Sequence, residues 1–182
     1  LCYETLNDFA MLAEADKTIM SLDKRDVTSR VRYARHAMST NDLREALAAL
    51  QACRTTGLAV LVSMTFDRKK RGFFTIMGDP LVPSLQALAA GGADAVGMNC
   101  SVTAPVMLEM VREAVPAVAV PLVAQPNAGQ PVVTPSGVVY DADPHAFASD
   151  LAAMVQAGAR LVGGCCGTDD AFIAAARAAL AR

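Results

Sequence analysis

The feature that most constrains this chain is a repeated alternation of short apolar runs with Ala/Leu-rich segments of helical character, punctuated by glycine. LAVLVS at 58–63 follows Gly57, and a helical run through 85–90 stops at Gly91-Gly92. ADAVGM at 93–98 comes next, then a helix over 105–114 with Pro105 in its first turn. A run at 118–124 precedes a helix over 144–156 closed by Gly158, and a run at 160–163 precedes a helix over 169–179 with Thr168 or Asp169 at its N-cap. Continuous rather than alternating apolar runs are the mark of strands buried on both faces. Strands that alternate with helices predict βαβ units and a parallel sheet, an α/β fold. With a further strand at 1–4 the chain holds about five such units. A closed barrel needs eight, and five also suit an open doubly wound sheet; the pattern is compatible with both.

The stretch near 9–40 breaks the rhythm. Segments 8–20 and 26–38 each have helical spacing, and Asn41-Asp42 then caps LREALAALQAC. This predicts an insertion near 9–40, between the first strand and its helix. The chain opens at Leu1, without Met and inside a strand-like run, which predicts that further residues precede it.

Composition removes several function classes. Hydrophobic residues make up 53%, enough for a sizeable core, while 19% charged residues and a net charge of -2 leave no electrostatic footprint for nucleic acid or an acidic membrane. The run Arg68, Lys69, Lys70, Arg71 reads as a solvated loop. No apolar stretch reaches the ~18–20 residues that span a bilayer. Five cysteines without a secretion signal suggest a reducing, cytoplasmic setting, where clustered thiols serve metals or catalysis more often than disulfides.

Cys100, Cys165 and Cys166 each follow a predicted strand, AVGMN in one case and LVGG in the other. In parallel α/β folds the loops after strand C-termini converge on one face. Three thiolates suit zinc and leave the fourth tetrahedral position open, as catalytic sites do. Neighbouring residues on a regular strand face opposite ways, so Cys165 and Cys166 can share an ion only where the backbone bends; Gly163, Gly164 and Gly167 permit that. A vicinal disulfide or redox pair is the alternative. Cys2 and Cys53 read as small buried hydrophobes, and His145 is the main candidate for a fourth protein ligand that would close the site. Asn127, in a rigid PNAGQP turn at 126–131, suits either a ligand contact or an Asx turn, as does Asn99. Glu4 is either a partner for an ammonium group or a surface carboxylate.

GMNC (97–100), QPNAGQP (125–131) and GGCCGT (163–168), in this order, resemble the zinc-dependent homocysteine S-methyltransferase family, which includes the homocysteine module of cobalamin-dependent methionine synthase and betaine–homocysteine methyltransferase. SMTFD (63–67), GDP (78–80) and VVYDADPHAFA (138–148) extend the likeness from about 41 to the C-terminus. The resemblance implies a (β/α)8 TIM barrel of which this chain holds about strands 4–8. It implies zinc on Cys100, Cys165 and Cys166, with the homocysteine sulfur in the open position attacking a methyl donor to give methionine. It places Asn127 at the substrate and matches ETLND (4–8) to a motif whose glutamate, here Glu4, contacts the substrate amino group. The helix that normally follows that motif begins only at Asn41, and MSTND (38–42), at the usual distance, lacks the glutamate. SMTFD is closer to the cobalamin-linked modules, which implies methylcobalamin or another corrinoid on a partner domain or protein as donor. Other readings of the same scaffold are a corrinoid-protein methyltransferase with another donor or acceptor, and a non-catalytic zinc-binding barrel fragment. A barrel without its first three strands exposes sheet edges, so the chain alone is expected to be poorly active.

Overall fold

The computed structural model describes residues 41–135 and 137–181. The strand expected at 1–4, the insertion near 9–40, Cys2 and Glu4 lie outside the described residues.

Asp42 caps the first described helix, α1 (Leu43–Arg54), by accepting hydrogen bonds from the backbone N–H groups of Arg44 and Glu45. Strand β1 (Leu61–Met64) leads into an antiparallel hairpin, β2 (Asp67–Lys69) with β3 (Gly72–Phe74), and then into α2 (Leu81–Ala90). Strand β4 (Ala95–Thr103) is followed by α3 (Ala104–Ala114). After β5 (Leu122–Asn127) comes a second hairpin, β6 (Pro131–Thr134) with β7 (Gly137–Tyr140), and then α4 (Pro144–Gln156). Strand β8 (Leu161–Val162) and α5 (Asp170–Leu180) complete the order, with Asp169 as the N-cap of α5.

The two hairpins depart from expectation. The basic run at 68–71 is solvent-exposed as expected, but only Lys70 and Arg71 form a turn: Arg68 and Lys69 lie in β2, where Asp67 pairs with Phe74 and Lys69 with Gly72. Arg68 lies 5.0 Å from the Phe73 ring centroid and is paired with Glu109 at 2.5 Å. The segment expected as a rigid turn at 126–131 begins as strand, since Pro126 and Asn127 finish β5. Strand β5 also starts later than the apolar run does, at Leu122, just after Pro121, which has no N–H to offer a ladder.

The parallel strands lie in the order β1-β4-β5-β8, each pairing with the next in the chain. A doubly wound sheet would reverse direction at a switch point; these strands add in one direction only. Their core side holds Met64, Val96, Met98 and Ala124, packed with Leu85, Leu88, Met107, Met110, Leu151 and Met154, all buried. Each of the larger chains is worth about 1.5–3 kcal/mol of burial. Phe147 of α4 and Phe172 of α5 meet edge to face at 5.3 Å between centroids, which ties the last two helices together. A cavity of about 360 Å³ lies over the sheet, lined among others by Leu61, Ser63, Gln125 and Leu161. Among the described residues, no helix is long and apolar enough to cross a membrane.

Candidate metal centre

Because β4, β5 and β8 run parallel, their C-terminal ends share one rim, and that rim carries Asn99, Cys100, Asn127, Cys165 and Cys166. Cys100 does not follow a strand, as expected, but sits within β4 at an irregularity. Between the pairs Asn99↔Gln125 and Thr103↔Asn127, four steps along β4 match two along β5. The surplus is taken up by Cys100 and Ser101, at φ 62° and 60°. Non-glycine residues in this left-handed region carry about 1–3 kcal/mol of strain each. Such a bulge bends the strand and re-aims its side chains.

The second cysteine segment is held by β5. The Cys165 N–H donates to the Pro126 carbonyl at 2.9 Å, and the Cys166 carbonyl accepts from the Ala128 N–H at 2.9 Å. Between them the Cys166 N–H donates to Asn127 Oδ1 at 3.2 Å, and the Thr168 hydroxyl donates to the Cys165 carbonyl at 2.7 Å. Gly167 then turns the chain at φ +80°.

The result is a cluster. The Sγ atoms of Cys100, Cys165 and Cys166 all lie within 4.8 Å of one another. Cys100 is 3.6 Å from Cys166, and Cys165 is 4.0 Å from Cys166. Thiolates on a tetrahedral zinc at ~2.3 Å stand roughly 3.8 Å apart by simple geometry, so the spacing and softness of this donor set fit that ion. All three are free of disulfides. Burial pushes the Cys165 thiol up to about 11, and its neighbours Cys100 and Cys166 add to the effect. Cys166, the exposed member, is held below the ordinary thiol value, first by its hydrogen bond with Cys100. A divalent cation would offset the cost of ionising three adjacent thiols.

Asn127 is buried, 4% exposed. Its Oδ1 serves Cys166, while its amide NH2 makes no hydrogen bond among the described residues. Asn99 stands half-buried beside the bulge. His145 is exposed at the start of α4, its backbone N–H bonded to Asp143, and is not among the three clustered ligands. Cys53 lies on α1 outside the cluster. Sequence reasoning gave no role to Tyr140, which ends β7 with its ring packed against Gly167, next to Cys166. The hairpin carrying it follows Asn127 closely, but a missed hairpin hides where its base lands.

Residues 36–180 match the profile of the homocysteine S-methyltransferase family. Methionine synthase of Mycobacterium leprae is 35% identical over 108 residues, 59% of this chain and 9% of that protein. Methionine synthase of Mycobacterium tuberculosis is 36% identical over 107 residues, again 9% of its length. The chain thus spans under a tenth of these relatives. Among solved structures, the metallated form of the homocysteine methyltransferase MmuM from Escherichia coli superposes with a TM-score of 0.56 at 28% identity, over 76% of this chain and 42% of that one. Its apo form gives 0.57 at 26%, over 76% and 47%. With the profile covering most of its length, the chain belongs to the homocysteine S-methyltransferase family.

Proposed function

We propose that this chain carries the thiol-activating centre of a zinc-dependent methyltransferase that converts homocysteine to methionine, its four parallel strands forming the later part of a TIM barrel. The observation that carries this reading is the convergence of Cys100 with Cys165 and Cys166, 65 residues away in sequence, into one sulfur cluster. These three residues would hold zinc, which when bound stabilises a coordinated thiol as its thiolate near neutral pH. Three protein sulfurs leave room for one more donor, as at open catalytic sites.

The chain's own groups then have distinct tasks. The bulge in β4 presents Cys100, and the β5 backbone fixes the loop that presents Cys165 and Cys166. Asn127 joins the two functions: its Oδ1 holds the Cys166 backbone, and its NH2, which has no partner among the described residues, is a donor suited to the substrate carboxylate. Glu4, on the strength of the ETLND motif, would receive the substrate ammonium. In the transfer itself the homocysteine sulfur forms a bond to the methyl carbon, and the electron pair of the broken bond stays with the donor. A corrinoid on a partner domain or protein is the donor favoured by the SMTFD segment and by the methionine synthase relatives.

The test is zinc stoichiometry with X-ray absorption, before and after homocysteine is added. One zinc with three sulfurs that gains a fourth sulfur supports the reading. A zinc environment indifferent to homocysteine would sink it.

A further inference from the structure

Arg68, Lys69, Lys70 and Arg71 place four of the chain's 16 basic residues in consecutive positions, in a protein whose net charge is -2. They belong to the β2–β3 hairpin, which follows β1 directly. Strand β1 pairs in parallel with β4, so that Met64 stands beside Met98, two residues before Cys100. The basic hairpin therefore starts from the same rim as the three sulfurs, one strand over from Cys100, and neighbouring strands are about 4.8 Å apart. All four basic side chains are exposed. Two of them are held: Arg68 pairs with Glu109 of α3 and stacks on Phe73, itself buried, and Lys69 faces Asp67 at 3.5 Å. Lys70 and Arg71, at the turn, have no acidic partner among the described residues. A second turn, next in the chain, presents apolar side chains. Thr75 is buried, its N–H donates to the Asp79 carbonyl at 2.9 Å, and its hydroxyl donates to Asp79 Oδ2 at 3.2 Å. The Gly78 N–H closes the turn on the Thr75 carbonyl at 3.0 Å. Ile76 and Met77 form the tip of this tied-down turn, 76% and 62% exposed. An open groove of about 830 Å³ joins the two features, lined among others by the four basic residues, Phe74 and Ile76.

We infer that the basic hairpin and the Ile76-Met77 turn form the docking surface for an acidic protein face, that of the macromolecule which carries the methyl donor. A corrinoid held by a protein must come to the rim that bears the sulfurs, and that approach brings its carrier over the neighbouring hairpin. Charge complementarity decides the sign of the partner: Lys70 and Arg71, without acidic partners of their own, attract acidic groups and repel basic ones. The apolar tip decides its size. A small anion would leave Ile76 and Met77 in water, whereas a protein face covers them. An apolar centre that includes methionine, set beside arginines and a polar rim, is the usual anatomy of a protein interface.

This inference rests on the corrinoid-donor reading above, and the experiment separates the two. Binding of a methylcobalamin-loaded corrinoid protein of net negative charge to the full chain is followed by biolayer interferometry at low and at high salt. The wild type is compared with Lys70→Glu/Arg71→Glu and with Ile76→Ser/Met77→Ser, and thermal unfolding and zinc content verify that both variants keep the fold and the centre. Wild-type association should slow as salt rises. Charge reversal should slow it about tenfold or more at low salt and remove the salt dependence, while the Ile76-Met77 variant should instead dissociate faster. Methyl transfer to homocysteine is then measured from the carrier and from free methylcobalamin, which needs no docking. Charge reversal should slow transfer from the carrier and leave transfer from free methylcobalamin unchanged. If the wild type does not bind the carrier, if charge reversal leaves binding at the wild-type level or lowers transfer from both donors alike, or if sedimentation velocity shows that a second copy of the chain covers the hairpin, the inference fails by itself. If the wild type binds the carrier in the expected salt-dependent way but transfers no methyl group from either donor, the catalytic reading fails and the docking surface stands.

Discussion

Replacing Asn127 by alanine tests how the site is held together. The side chain is 4% exposed, and its Oδ1 is the acceptor for the Cys166 N–H at 3.2 Å. Removing that acceptor forfeits roughly 0.5–1.5 kcal/mol for the hydrogen bond, and the space left by the amide brings the loss to about 1–2 kcal/mol. The loop should not unravel. It keeps the Cys165–Pro126 and Ala128–Cys166 backbone bonds, both 2.9 Å, and the Thr168 hydroxyl on the Cys165 carbonyl at 2.7 Å. For a chain of this size the expected fall in melting temperature is therefore modest, roughly 2–8 °C. The effect on zinc should be proportionally larger, about 10–100-fold in affinity, because the lost contact orients a ligand directly. Thermal unfolding and chelator competition measure the two. Asn127→Asp divides the residue's roles: the carboxylate still accepts from Cys166 and should preserve the melting temperature, but it replaces the NH2 donor with a charge that repels the substrate carboxylate. Homocysteine binding, followed calorimetrically, should then be lost. An Asn127→Ala protein with wild-type melting and wild-type zinc affinity would refute the reasoning.

Further outcomes follow from the same geometry. Cys165→Ala should abolish zinc retention after gel filtration, and unchanged metal content would overturn the ligand assignment. Because burial and its neighbours hold the Cys165 thiol up at about 11, that group is protonated in the metal-free protein near neutral pH. Zinc binding must therefore release at least its proton, and affinity must fall as pH falls; calorimetry in buffers of differing ionisation enthalpy would show no proton release if this is wrong. Burial raises the Asp150 carboxyl above its usual 3.8. A carboxyl raised on folding favours the folded state when protonated and opposes it when ionised. Asp150→Asn should accordingly stabilise the protein slightly at neutral pH, with the gain disappearing as pH falls from the raised value of the folded protein to 3.8; equal gains at both ends of a pH series of thermal melts would contradict the burial argument.

The alternation of apolar runs and helices was enough to establish an α/β chain with parallel strands, because strand burial and helix stops are written in neighbouring residues. The helix bounds follow for the same reason: Asp42 and Asp169 cap where their side chains meet the backbone N–H groups of the next turn. The three cysteines were legible as a set through their places near strand ends. Sequence could not decide whether the sheet winds in one direction, since β1-β4-β5-β8 is a pairing among distant segments. Nor could it foresee the bend that aims Cys100. That bend arises from a mismatch of register between β4 and β5 and falls on two residues with no intrinsic preference for a left-handed conformation. Glycines beside Cys165 and Cys166 announced a turn, yet the reason Gly167 must lack a side chain lies in Tyr140, which a hairpin from another part of the chain lays against it. Which residues can offer a sulfur donor is a property of residue type and local punctuation. Ligand geometry belongs to the tertiary structure, because it depends on which backbone bonds join β5 to a loop nearly forty residues further along the chain.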